Sequence, residues 1–171
     1  DEYEYSLLAG QCNIDMPQTH LFENKYFGVQ RFDRTQEGKL HVVSIAALIG
    51  ADYRMPSIDY SHIFQVCAVL THNIAELWKV YRLMVFNYLI ENKDDHAKNF
   101  AFIYRDGDWH FSPAYDLLPS DGMNGFHTTS INDSIEPTME DLFAIAVKAG
   151  LNKKEAEKIL ISMKSVINEV K

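Results

Sequence analysis

Cysteine is scarce in this 171-residue chain, which carries only Cys12 and Cys67. No CxxC pair occurs, and the seven histidines are scattered without an HxxxH or HxH pair. Neither a disulfide scaffold nor a zinc centre is expected from that usage, and a reducing, cytoplasmic setting is. Glycine is also sparse, and none of the eight falls into a GxGxxG or Walker pattern, so no glycine-rich phosphate loop is expected within these residues. No apolar run approaches the roughly 20 residues that cross a bilayer, and no signal-like leader is legible; a soluble chain without membrane contact is the expectation. Basic side chains are the minority, 16 against 24 acids, for a net charge of −8. Such a field repels phosphate backbones, so DNA would be met only indirectly, through a basic partner.

What is present is ample material for a core. Apolar residues make up 47% of the chain and aromatics 12%, which fits one folded domain over residues 1–171. The chain opens with a helical pattern already under way and no initiator methionine, so a segment upstream is expected. Residues 2–11 read as the end of a helix, stopped near Gly10 and Asn13. The stretch THLFENKYFGVQRF holds two β-rich runs split by Glu23-Asn24-Lys25, a hairpin pattern, and TQEGK reads as a polar loop. His41 to Ala51 is compatible with a short helix ending at Gly50, and DYRMPSIDY with a turn.

Residues 60–70 and 74–90 read as two longer helices. In the second, Leu77, Val80, Tyr81, Met84, Val85, Tyr88 and Leu89 recur at three- and four-residue steps, which predicts a central element. NFAFIYR and WHFSPAY flank Asp106-Gly107, a pair that favours the tight turn of a second hairpin. Pro137 and Thr138 suit a helix start and Gly150 a stop, and Asn152 can cap the last helix. The fold class expected is mainly α within α+β, with two small hairpins.

Between the central helix and the second hairpin lies NKDDHAKN, residues 92–99, a polar octapeptide amid segments fit for burial. Phosphoryl transfer needs a carboxylate to receive or orient the proton of the attacking hydroxyl, and oxygen ligands to hold Mg²⁺ against a triphosphate. Asp94 and Asn99 offer that pair at the D-x-x-x-x-N spacing of a protein-kinase catalytic loop, and Lys98 adds a cation. A second carboxylate, Asp116, follows the second hairpin. The same residues also suit a plainer role: Asp94, Asp95 and Asn99 could cap a helix end and begin a turn, and Asp116 could be a turn former. His96 could be a structural histidine, and Arg31, Asp33 and Arg34 a surface ion-pair cluster.

Several blocks, in order, carry a resemblance: EYSLLA, RFDR, ADYRMPSIDY, RLMVFNYLIENKDDHAKNFAF, WHFSPAYDLLPS, HTTSIN and PTMEDLFAIA. Together they resemble the HipA-like serine/threonine kinases, toxins of bacterial toxin–antitoxin modules, along nearly the whole chain. The resemblance implies a kinase-like fold of which this sequence is the larger, helical lobe, working with ATP and Mg²⁺. Asp94 matches the family's catalytic base, and Asn99 and Asp116 its magnesium ligands. His96, Ala97, Lys98 and Asn99, with Tyr115 and Asp116, match positions lining the ATP phosphates. Gln30, Arg31 and Phe32 match the hinge that recognises adenine through the backbone, and Glu2 falls on an acidic position of undefined role.

Where the family commonly has a glycine before the first Asn, Glu91 stands here, so a changed turn is expected. The family's small lobe supplies a flexible loop with an autophosphorylated Ser and a phosphate-binding Lys. Nothing here matches them, and the chain is expected to be a part of a longer kinase, weak or inactive alone. The partners implied are a protein substrate such as an aminoacyl-tRNA synthetase and a small helix-turn-helix antitoxin. Two other functions compete: a module that docks the antitoxin without kinase activity, and a Mg²⁺-dependent phosphohydrolase using the same carboxylates.

Overall fold

The computed structural model describes residues 2–51, 58–122 and 125–170. The DYRMPSIDY turn lies mostly outside them. Helix α1 (Glu2–Gln11) leads into a hairpin of β1 (Thr19–Phe22) and β2 (Tyr26–Val29), paired from Thr19 opposite Val29 to Phe22 opposite Tyr26. Its turn uses left-handed backbone at Glu23 and Asn24. The polar loop expected next is instead a second, minimal hairpin of β3 (Arg34–Thr35) and β4 (Gly38–Lys39).

The short helix expected over residues 41–51 divides in two. His41–Ser44 is strand β5, and only Ile45–Ile49 is helical, as α2, capped by Ser44 and closed by left-handed Gly50. The β-branched pair Val42 and Val43 finds a partner strand, and ladder hydrogen bonds outweigh the weak helical preference of that half. Strand β6 (Ile58–Asp59) then runs into α3 (Tyr60–Thr71), with Asp59 accepting from the Ser61 N–H as its N-cap. Helix α4 (Ile74–Ile90) follows, capped by Asn73.

Strands β7 (Ala101–Arg105) and β8 (Asp108–Phe111) form the second expected hairpin, with left-handed Asp106 and Gly107 in its turn. They join β5 in a three-stranded antiparallel sheet of order β5-β7-β8. Strand β9 (Thr129–Ser130) pairs in parallel with β6. Helices α5 (Met139–Lys148) and α6 (Lys153–Val170) complete the chain; Thr138 caps the first, and Asn152 accepts from the Glu155 N–H at the start of the second. The fold is thus α+β, with more strand than two hairpins provide.

Helix α4 is the central element. Leu77, Val80, Leu83, Met84, Val85, Phe86 and Ile90 are all buried, on several faces. Helix α6 lays a stripe of Ala156, Ile159, Leu160, Met163 and Ile167 into the same core, and each of its larger side chains stabilises the fold by about 1.5–3 kcal/mol before entropy is charged. The Tyr81 hydroxyl donates to the Ala156 carbonyl at 3.2 Å, tying the two helices. Among the described residues no helix is long and apolar enough to cross a membrane.

Candidate active site

The octapeptide leaves α4 through Glu91, whose φ of 59° is left-handed. A glycine adopts that conformation without a Cβ penalty; here a glutamate takes it, and the helix still ends at this residue. Beyond it the loop is held from two sides. Ser120 N–H donates to the Glu91 carbonyl and Lys93 N–H to the Ser120 carbonyl, while Thr128 N–H donates to the Lys93 carbonyl. Further along, the first amides of α2 reach over: Ala46 N–H donates to the Ala97 carbonyl at 3.1 Å and Ile45 N–H to the Phe100 carbonyl at 2.8 Å. The Tyr115 hydroxyl donates to the Lys98 carbonyl at 2.6 Å. Backbone from three parts of the chain, with the hydroxyl of Tyr115, therefore shapes one loop.

Within it, Asp94 is exposed, and the Asn99 amide donates to the Asp94 carbonyl at 3.1 Å. That bond turns the Asn99 Oδ1 away from Asp94. Asn99 and Asp116 line one crevice, too tight to admit a water molecule, with Asn87, Asn92, Asp95 and Tyr115. Asp116 is exposed, with a left-handed φ of 59° that aspartate tolerates better than most residues. The donor set suits Mg²⁺: one carboxylate and one amide oxygen, on a cation that commonly keeps several waters. No larger cluster of His, Cys, Asp or Glu fit for a metal gathers among the described residues.

Tyr115 also walls a second, mostly apolar cleft, where it meets Val29, Gln30, Phe32 and Val42. The rings of Phe32 and Tyr115 stack with centroids 5.9 Å apart. Burial, with the charge of Asp116 beside it, pushes the Tyr115 hydroxyl up to about 12, so it stays a donor. Glu2 lies in a third recess beside Tyr115 and Asp116. The expected residues are not all presented alike: the Ala97 methyl is buried, so that position can offer a ligand only backbone. Arg31 turns its guanidinium onto Asp33 at 2.6 and 2.9 Å, and Arg34 shares the same carboxylate. This is the surface ion-pair cluster, and it holds the Asp33 carboxyl down at about 2.

Asp95, beside the exposed Asp94, is fully buried. Its Oδ1 accepts from the Thr128 and Thr129 N–H groups, both at 3.1 Å, and its Oδ2 from the Tyr60 hydroxyl at 3.2 Å. The Nδ1 of His127 lies 3.1 Å from the same Oδ2. Burial pushes the Asp95 carboxyl above its usual range, although these donors oppose the shift. Helix capping does not describe this residue, and neither Tyr60 nor His127 was singled out from the sequence for a role at the loop. The one sequence signal available was polar residues inside apolar patterns, such as Asn87 in VFNYLI. A broader groove borders the start of the loop, lined by Tyr88, Glu91, Lys93, His127, Met139 and Lys164, but not by Asp94, Asn99 or Asp116.

Compared with known proteins, residues 1–170 match the HipA-like C-terminal domain. The chain belongs to the HipA-like family. Two relatives of this HipA-like chain carry kinase names. "Putative kinase Y4dM" of Sinorhizobium fredii is 29% identical over 178 residues, covering 90% of this chain and 43% of that protein. A "Putative kinase" of Haemophilus influenzae is 28% identical over 138 residues, covering 69% and 40%. A chain from the Shewanella oneidensis MR-1 toxin–antitoxin complex of HipA, HipB and operator DNA superposes with a TM-score of 0.74 at 19% identity, covering 97% of this chain and 48% of that one. At that identity the likeness shows the fold. The HipA-like chain spans less than half the length of each of these proteins.

Proposed function

We propose that this HipA-like chain is the nucleotide- and metal-binding lobe of an ATP- and Mg²⁺-dependent serine/threonine protein kinase of the toxin type. The observation that carries the reading is the place of Tyr115. It lines both the apolar cleft at Gln30–Phe32 and the crevice of Asn99 and Asp116, so a planar apolar site and a pair of oxygen ligands are neighbours across one ring.

In this reading adenine stacks in the cleft of Val29, Phe32, Val42 and Tyr115. The Gln30 N–H is already donated to the Gln18 carbonyl, so recognition falls to the Gln30 carbonyl and the peptide groups of Arg31 and Phe32. Asn99 and Asp116 hold Mg²⁺, which when bound neutralises charge on the phosphate oxygens. Asp94, exposed at the crevice's loop, receives the proton of the attacking Ser or Thr hydroxyl. Lys98, with the backbone of residues 96–99, faces the phosphates. Positioning and charge neutralisation supply nearly all of the catalysis in phosphoryl transfer. Groups that close over the triphosphate from the other side are assigned to the remainder of a protein of the relatives' length, and the chain alone is expected to be weak.

The partners proposed are a protein substrate and a helix-turn-helix antitoxin. The acidic balance of the chain makes any DNA association indirect. A module that only docks the antitoxin is the second reading.

The test is a calorimetric titration of Mg-ATP into the chain and into Asp116→Asn, a change that keeps a residue tolerant of left-handed backbone. Magnesium-dependent binding lost in the variant is expected. Binding by neither protein would move the assignment to the docking module. In a full-length kinase, Asp94→Asn should lower kcat by about 10²–10⁴-fold, and an unchanged rate would remove Asp94 from the role of base.

A further inference from the structure

A chain of hydrogen bonds, buried except for its last link, connects the loop that carries Asn99 with Asp116. It begins at Asp95, next to Asp94, whose Oδ2 accepts from the Tyr60 hydroxyl at 3.2 Å. Tyr60 in turn accepts from the Asn87 amide at 3.2 Å, and Asn87 Oδ1 accepts from the Asn92 amide at 3.1 Å. The same Asn92 amide reaches the carbonyl of Asp116 at 3.4 Å. Tyr60, Asn87, Asn92 and Asp95 are all buried. His127 and the amides of Thr128 and Thr129 close the far end onto Asp95, and the Thr129 hydroxyl donates to the Asp95 carbonyl.

We propose that Tyr60, Asp95 and His127 are positioning residues. Through them the loop of Asp94 and Asn99 is held in register with Asp116, which sets the spacing of the two metal ligands. The inference rests on the kinase reading above and deepens it. A buried carboxylate is costly unless its lone pairs are met. Thr128 and Thr129 meet one oxygen of Asp95 and would suffice to cap the turn. The second oxygen serves side chains from elsewhere: Tyr60 at the start of α3, and His127 from the segment after Asp116.

Tyr60 is the joint of the chain, because its single hydroxyl donates toward Asp95 and accepts from Asn87 on α4. Satisfied buried networks of this kind select one arrangement over its neighbours, and partners behind metal ligands commonly govern metal affinity by 10–100-fold. The segment carrying His127 is anchored independently. Asp59, the residue before Tyr60, accepts from the Ser130 hydroxyl at 2.7 Å and the Asp133 N–H at 2.9 Å.

Tyr60→Phe cuts the joint and keeps the ring packed edge-on against Phe100. Two readouts on the chain decide the matter: backbone amide resonances without nucleotide, and ATP affinity measured with Mg²⁺ and again with EDTA. Expected are shifts on both sides of the cut, at Asp94–Asn99 and at Asp116–Leu117, with α6 unmoved. Mg-ATP affinity should fall about 10-fold and ATP affinity in EDTA change by less than about 2-fold, since the adenine cleft lies outside the chain of bonds. Shifts that stop short of Asp116, or affinities that fall equally with and without Mg²⁺, would overturn the proposal.

Wild-type protein that binds no Mg-ATP would count against the kinase reading alone, and the resonances would still decide the coupling. If Tyr60→Phe does not fold, His127→Asn and His127→Ala replace it. Asn keeps an N–H donor near the position of Nδ1 and should restore the wild-type resonances at Asn99 and Asp116. Equal behaviour of the two His127 variants would sink the idea.

Discussion

The Nδ1 of His127 lies 3.1 Å from Oδ2 of Asp95, so the segment that follows Asp116 closes back on the loop that carries Asp94. Thirty-two residues separate the pair in sequence, yet both are buried. With Asp95 ionised, both of its oxygens can only accept, and the proton of the bond sits on Nδ1. The candidate site is built less by the octapeptide than by what is packed around it.

Asp95 gives a pH dependence of defined sign. Burial holds its carboxyl above the usual range in the folded state. The stabilisation from its proton is therefore fully present below the unfolded pKa and is lost as pH rises from about 4 through the higher folded value. Asp95→Asn removes this dependence. Urea unfolding from pH 4 upward should show wild type losing stability relative to the variant as pH rises; parallel curves would mean that Asp95 titrates normally.

Glu91 occupies a left-handed position that favours glycine. Relief of the Cβ clash outweighs the extra freedom a glycine brings to the unfolded chain, so Glu91→Gly should stabilise the protein by about 0.5–1 kcal/mol. The expectation fails if the denaturation midpoint falls.

Gly122 has the opposite sensitivity. Its φ is 61°, and a Cβ there would lie 2.6 Å from the Phe126 carbonyl oxygen and 2.7 Å from the Lys93 carbonyl oxygen. Backbone on both sides has little room to yield, so Gly122→Ala should cost about 1–3 kcal/mol. Because Lys93 adjoins Asp94, Mg-ATP binding should weaken as well. A variant as stable as wild type would show that the backbone at Lys93 and Phe126 yields to the added methyl.

Cys12 and Cys67 are both buried, and burial pushes their thiols up to about 11 and about 12. Neither forms thiolate readily at neutral pH. A disulfide reagent should label the native protein slowly and label both sites on unfolding; rapid labelling of native protein would show that these sites open.

Much of the framework was legible because it is local. Helix α4 shows its apolar recurrence, Thr138 and Asn152 announce α5 and α6, and Asp106-Gly107 announces the β7–β8 turn. The misread segments were short ones. His41–Ser44 is a strand because the distant β7 stands beside it, whereas the TQEGK stretch pairs locally and is short enough to read as loop or hairpin. Of the expected site residues, Asn99, Tyr115 and Asp116 meet at one crevice, whereas the Arg31 side chain turns to Asp33.

Sequence alone determined the longer helices, the two principal hairpins, the acidic balance and the D-x-x-x-x-N spacing. Each depends on residues within a few positions of one another, where propensity, capping and charge act directly. Only the tertiary structure decided that Asp94 is exposed while its neighbour Asp95 is buried, and that Tyr60, Asn87 and His127 share in holding the loop. Those outcomes follow from burial and hydrogen bonding between residues tens of positions apart, and adjacent aspartates in a sequence carry no mark of which one will lose its water.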